Sequence, residues 1–261
     1  LTLLDVPGHD IVGVRAANSG PFTLTGTNSW IVGSEPAWLV DPGPSLPGHL
    51  DALAAELNRR GGLAGLVLTH DHADHSDASV AVRERFPDAP AAAARGPVDV
   101  LLEGGSTFGP FETVAIPGHA RDHLAFIAGN AGFTGDAVLG EGSVFVAGQM
   151  GEYLAGLERL RARSLQVLLP GHGPLIADPD SKLGEYLEHR LDRERRLLAA
   201  LDAGLRSVDQ LLDEVWDDAP VYLRPAAALT LAAHLDKLAE EGRLPPGVER
   251  PSIVLPEEFE P

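Results

Sequence analysis

From the N-terminus to about residue 181, short apolar runs alternate with turns and occasional helical spacing. Ser29–Gly33 and Ala37–Val40 read as strands, the second ending in the turn Asp41-Pro42-Gly43. Leu50 to Arg60 carries apolar residues at Leu50, Leu53, Ala54 and Leu57, a helical spacing, and Gly61-Gly62 stops it. Leu63 to Leu68 is then a buried strand whose end runs directly into a polar, histidine-rich stretch. The same unit, a strand followed by a tight polar loop, recurs three times. Val114-Ala115-Ile116 precedes Pro117-Gly118-His119, Ala131-Gly132-Phe133 precedes Thr134-Gly135-Asp136, and Val167-Leu168-Leu169 precedes Pro170-Gly171-His172. Four strand ends thus each present a His or an Asp, and ligands carried on loops at the edge of a rigid sheet are a common way to build a site.

After residue 181 the pattern becomes helical and charged. Lys182 to Leu201 places Leu183, Tyr186, Leu187, Leu191, Leu197, Leu198 and Leu201 at helical intervals. Ser207 reads as the N-cap of a short helix, Val208 to Trp216. Pro225 to Glu241 is a second amphipathic helix closed by Gly242, and the tail from Arg243 is proline-rich. Short helices followed by a hairpin predict a small winged-helix-like module, so the expected division is residues 1–185 and 186–261.

Composition narrows the chemistry. With 44% apolar and 22% charged residues over 261 positions, the chain reads as an ordinary soluble globular protein. No apolar run reaches the ~18 residues of a membrane span, and the start Leu1-Thr2-Leu3-Leu4-Asp5 does not read as a signal peptide, so a cytoplasmic protein is expected. There is no cysteine, which excludes disulfides, a thiol nucleophile and thiolate ligands. A metal site must then use imidazole and carboxylate, a donor set that suits zinc, iron or manganese. The formal net charge is −18 and Lys182 and Lys237 are the only lysines, which weighs against a broad phosphate-binding surface. The deficit is not local: residues 1–181 hold 10 basic and 21 acidic side chains, and residues 182–261 hold 10 and 17.

Against that background the stretch Thr69-His70-Asp71-His72-Ala73-Asp74-His75 stands out. His70 and His72 alternate on an extended segment, Asp74 continues the alternation, and His75 follows it, so four ligand candidates serve two metal sites. His119, Asp136 and His172 are the expected remaining donors because each sits in a strand-end loop. A lone histidine after a strand is usually structural, and His9, His49, His189 and His234 are assigned no chemistry. Trp30, Trp38 and Trp216 are expected in the core, and Asp213-Glu214 with Asp217-Asp218 reads as a solvated face.

The order of these motifs resembles the metallo-β-lactamase superfamily. Thr-His-x-His-x-Asp-His matches residues 69–75, Val40-Asp41-Pro42-Gly43 resembles the upstream acidic motif, and the loops at 117–119, 134–136 and 170–174 match the later ones. Within the superfamily the chain is most similar to the β-lactamase-like protein 2 branch, which includes single-strand endoribonucleases. Thr27 to Gly33, His119 to His123, Thr134 to Gly142 and Tyr186-Leu187-Glu188-His189-Arg190 carry that similarity. The resemblance implies a mixed α/β (α+β) fold, an αββα sandwich with the site at one edge of two sheets. It implies His70, His72 and His119 on one metal, Asp74, His75 and His172 on the other, Asp136 between the two, and Asp41 and His123 orienting ligands through hydrogen bonds. Two departures are visible: Ser76-Asp77-Ala78 stands where many members have a glycine pair, and Asp71 replaces a bulky residue, both adding negative charge.

The expected activity is therefore metal-dependent hydrolysis with two zinc ions, iron or manganese being the alternatives. Such a pair holds a bridging hydroxide of pKa near ~7, and Asp74 is the residue expected to orient it and handle its proton. The acidic surface and scarcity of lysine favour a small ester, thioester or related acyl substrate. Single-strand-specific RNA cleavage is the alternative, β-lactam hydrolysis ranks lower, and a non-catalytic metal-binding assembly protein, homodimeric through its C-terminal module, is the reading from a different class.

Overall fold

In the computed structural model, which describes residues 2–252, the first hundred residues form a seven-stranded sheet. Its strands lie side by side in chain order: β1 (Thr2–Asp5), β2 (Ile11–Arg15), β3 (Asn28–Val32), β4 (Ala37–Val40), β5 (Leu63–Val67), β6 (Ala91–Ala93) and β7 (Val100–Leu101). β1 to β4 pair antiparallel and β4 to β7 parallel. Parallel neighbours need a crossover. α1 (Pro47–Arg59) supplies it between β4 and β5, and α2 (Ala73–Ser76) with α3 (Ser79–Arg85) between β5 and β6. A five-stranded sheet follows, made of β8 (Thr107–Phe108), β9 (Phe111–Ala115), β10 (Leu124–Ala128), β11 (Ala131–Gly135) and β12 (Val167–Pro170) in the order β12-β11-β10-β9-β8. Here β11 and β12 run parallel, joined through α4 (Met150–Arg161). The chain ends in α5 (Pro179–Asp202), α6 (Val208–Val215), a short 3-10 turn at Val221–Leu223 and α7 (Arg224–Glu240).

Period-two alternation explains the layering. Along β10, Leu124 and Phe126 join the core between the two sheets, whereas Ala125 and Ile127 face the core under α4 and α5. Along β3, Trp30 and Val32 enter the inter-sheet core and Ile31 packs beneath α1 with Leu53 and Leu57. Both faces of each sheet are covered, which is the αββα sandwich expected from the motif order. A fourth apolar cluster, Leu197, Leu201, Leu211, Leu212, Val215, Trp216, Leu231, Leu235 and Leu238, belongs to the C-terminal helices alone.

Several expectations need adjustment. α1 begins at Pro47, three residues before its first apolar position, because proline at the start of a helix lacks only an N–H that would go unpaired anyway. The boundary expected between residues 185 and 186 falls inside α5, which runs unbroken across it. The expected hairpin does not form among the described residues: no strand follows α7, and Pro245-Pro246 remove two backbone donors from that segment. Residues 253–261, where a second half of it would fall, lie outside the described residues. Ser207 caps α6 as expected, accepting from Gln210 N while the Gln210 amide oxygen accepts from Ser207 N, a reciprocal capping box. No helix among the described residues is long and apolar enough to cross a membrane.

Candidate metal centre

β4, β5, β9, β11 and β12 all deliver their C-terminal ends to one rim of the sandwich, and the seven candidate ligands meet there. Three groups have donor atoms within 4.8 Å of one another: His70 with His72 and His119; His70 with His75 and Asp136; and Asp74 with His75 and His172. One detail differs from expectation. The alternating segment stops at His72, and Ala73–Ser76 closes into a single helical turn in which His75 N and Ser76 N both donate to His72 O. Ser76 Oγ donates to Asp71 O and His72 O, a local bond that competes with an extended backbone. Asp74 and His75 therefore reach His172 from a helix rather than from a strand.

Hydrogen bonding fixes which ring nitrogen faces the centre. Asp41 Oδ2 accepts from the Thr69 hydroxyl at 2.7 Å and from His75 Nδ1 at 2.8 Å, and Asp41 Oδ1 accepts from Thr69 N at 2.7 Å. Its proton committed, the Thr69 hydroxyl accepts from His70 Nδ1 at 2.9 Å. Both rings then present an Nε2 lone pair inward. His123 acts differently from Asp41: its Nε2 accepts from Asp136 N at 3.1 Å, and its ring stacks on His70, so it holds the Asp136 backbone by a hydrogen bond and touches His70 only by ring contact. Thr27, buried at the end of β2–β3, donates to Asp74 Oδ2 at 3.1 Å. Gly171 is needed for closeness: a Cβ there would lie 2.5 Å from His75 Cε1 and 2.6 Å from Asp136 Oδ1.

The donors fit divalent cations. His119 Nε2 lies 3.0 Å from His72 Nδ1, and His75 Nε2 lies 3.4 Å from His172 Nε2. Asp136 reaches His75 at 3.4 Å, His172 at 3.3 Å and His119 at 3.6 Å. His70 Nε2 and Asp136 Oδ1 are buried with no hydrogen-bond partner. Buried acceptors that converge without donors are costly, and a cation relieves that cost. Without one, the carboxylates polarise the rings unequally. Burial would lower the His172 pKa, but Asp136 and Asp74 outweigh it and hold it near 9. His75 is likewise held well above its ordinary value against burial, by Asp74, Asp136 and Asp41. Burial dominates at His119 and His123, which fall to about 4 and about 3. Asp74, opposed by burial, is held at about 2 by His75 and His172 and stays ionised.

A family model for the metallo-beta-lactamase superfamily matches residues 22–96, and one for the beta-lactamase associated winged helix domain matches residues 207–244. The chain is 32% identical over 266 residues to the beta-lactamase-like protein 2 homolog of Drosophila melanogaster, covering 90% of this chain and 89% of that protein. The chain belongs to the metallo-β-lactamase superfamily. It falls in the branch of the β-lactamase-like protein 2 homologues, with the winged helix at its C-terminus, and as a member it is a metal-dependent hydrolase. This superfamily member is also 35% identical over 208 residues to the atrochrysone carboxyl ACP thioesterase of Aspergillus chevalieri, covering 73% of this chain and 65% of that protein. Among solved structures it is similar to TTHA1623 in a di-iron-bound form, with 28% identity and a TM-score of 0.51 over 68% of this chain and 96% of that one.

Sequence reasoning did not anticipate two features of the site of this hydrolase. Asp71 does not add a free charge, because Arg95 Nε lies 3.2 Å from its Oδ2; the two are 24 positions apart and nothing in local pattern joins them. Phe145 packs its ring against His119 at 4.8 Å between centroids, and Phe22 meets Phe145 edge-on at 6.4 Å. Neither phenylalanine lies in a ligand motif, so no sequence signal pointed to them. Of the histidines assigned no chemistry, His49 Nε2 is engaged by Ser29 Oγ and Pro42 O, and His9 Nε2 by Asn130 Oδ1; His234 is buried beside Trp216. Trp30 and Trp216 are buried, and Trp38 packs half-buried against Phe108 and Phe111.

Proposed function

We propose that this hydrolase cleaves a small acyl ester or thioester at a centre of two metal ions, zinc by preference, and that Asp74 handles the proton. The observation that carries the substrate class is Phe145 packed against His119, with Phe22 edge-on behind it. An apolar wall beside a metal site suits an acyl chain, excludes water from it, and offers nothing to a phosphate. The net charge of −18 supports the same choice, as does the likeness to a protein named as a thioesterase.

His70, His72, His119, Asp74, His75, His172 and Asp136 would hold the ions. When bound, they would supply Lewis acidity and make a water more acidic. Asp74 is the more open of the two carboxylates among the candidate ligands, its side chain 29% exposed against 10% for Asp136. Thr27 and His172 hold its Oδ2, at 3.1 and 3.2 Å, which leaves Oδ1 as the oxygen that would take a proton and return it to the leaving group. Phe145 would orient the acyl chain by contact.

Two measurements test this. Metal-loaded protein should hydrolyse members of an acyl-thioester panel and leave single-stranded RNA intact. Phe145→Ala should raise KM for the best thioester by about 10- to 100-fold, since removing an aromatic contact to the acyl chain forfeits ~1.5–3 kcal/mol. Salt-sensitive RNA cleavage that disappears in a His70→Ala, His72→Ala double variant would replace the acyl reading with an endonucleolytic one.

A further inference from the structure

Residues 137–149, between β11 and α4, have no regular secondary structure, yet they run from Asp136 to Phe145 along the edge of the metal centre. Such a segment needs outside partners for its backbone groups, and α5 and α7 supply them. Tyr186 Oη of α5 accepts from Leu139 N at 3.0 Å and donates to Gly142 O at 3.2 Å. Arg190, one turn further along α5, donates through Nη2 to Ser143 Oγ at 2.9 Å and also to Val144 O. Thr230 of α7 donates to Ala226 O in its own helix and accepts from Val146 N at 3.2 Å. The segment is also tied to both halves of the site, by Gly140 N to His172 O at 3.1 Å and by Ala147 N to Gly118 O at 2.7 Å.

Arg190 is the telling residue. It is 2% exposed, and among the described residues no carboxylate pairs with it. Its Nε is buried without a partner. A buried guanidinium with no counter-charge is a poor way to gain stability. Its contacts are instead the loop and the Tyr153 ring, 5.9 Å from its carbon centre. Tyr153 closes the path to the site: its side chain lies so near Gly118 that a Cβ there would meet it at 2.9 Å, and its hydroxyl donates to Ala137 O.

We infer that Tyr186, Arg190 and Thr230 are positioning residues for substrate, holding residues 139–146 so that Phe145 stays against His119. The C-terminal helices thereby set the fit of the site without touching it. The inference rests on the acyl reading only in taking Phe145 as a substrate wall.

Thr230→Val, which keeps the shape and removes the acceptor, and Arg190→Met, which keeps the packing and removes the donors, test it. Backbone hydrogen–deuterium exchange over residues 139–147 should rise about tenfold in each, the scale of one lost hydrogen bond in a local opening equilibrium. KM for the thioester should rise about tenfold, with kcat within about twofold and metal content unchanged. Arg190→Lys should restore both KM and exchange toward wild type. A fall in melting temperature with KM and loop exchange unmoved overturns the inference, as does faster exchange with KM unmoved. Should Arg190→Met fail to fold, Thr230→Val decides alone. The acyl reading fails separately, by Phe145→Ala leaving every thioester KM unchanged; exchange in the Thr230 variant still judges whether the helices hold the loop.

Discussion

Asp41 adopts a left-handed backbone, φ +52°, unusual for a residue with a side chain. That strain is held because its carboxylate takes three hydrogen bonds, from Thr69 N, Thr69 Oγ1 and His75 Nδ1. In Asp41→Asn the amide would set a donor against the His75 Nδ1 proton, releasing the tautomer that points Nε2 inward. Metal affinity should fall by about 10- to 100-fold, read by competition with a chromophoric chelator. Unchanged metal affinity in the variant would contradict it. The seven candidate ligands and Asp41 were legible in the sequence because each is a polar residue that follows closely on an apolar strand. Arg95 and Phe145 were not, because their partners lie 24 and 26 positions away and follow no period.

At the scale of elements, local signals located some boundaries. The Ser207–Gln210 capping box starts α6 where the sequence placed it, whereas α5 starts at Pro179, capped by Asp178 accepting from Ser181 N, three residues ahead of the Lys182 start read from the sequence. Ser207→Ala should cost about 1 kcal/mol, seen as a lower melting temperature with metal content unchanged, because α6 packs into a core of its own, away from the site. A loss of metal in that variant would mean the two regions are not so separable. β1, β2, α3, β6, β7, β8, β10 and α4 escaped the sequence reading. Leu124–Ala128 is apolar on both faces because both faces are covered, and a continuous apolar run of five cannot be assigned by period alone. The single turn α2 was read as extended because four residues are too few to show a helical repeat.

For the molecule as a whole, the acidic excess is organised rather than diffuse. Asp213, Asp217 and Asp218, read as a solvated face, pair with Arg224, Arg196 and Arg193 at 2.6 to 2.7 Å, so that face also ties the C-terminal helices together. Glu194 lies deeper, with His234 Nδ1 at 3.6 Å, Lys237 Nζ at 2.8 Å and Arg243 Nη1 at 3.5 Å. His234 and Lys237 hold its carboxyl down to about 2 against burial. An unfolded Glu titrates near ~4.3, so a folded value depressed below it contributes stability above that pH and loses it as pH falls toward 2. Urea unfolding of wild type and Glu194→Gln should therefore differ most at neutral pH and converge between about pH 4.5 and pH 2. A difference that stays constant across that window would show the charge of Glu194 to be immaterial.

The sequence by itself named the candidate ligands, because the strand-end loops and the Thr-His-x-His-x-Asp-His run are local patterns, and the family resemblance those motifs carry implied the fold class and the two-sheet sandwich. Only the tertiary structure decided which nitrogen of each ring faces the centre, what neutralises Asp71, what wall flanks His119, and how Tyr186 and Arg190 reach the loop that carries it. Those depend on residues brought together from distant positions by burial of apolar faces. Burial selects which surfaces meet, and side-chain partnership across them follows from the packing rather than from spacing along the chain.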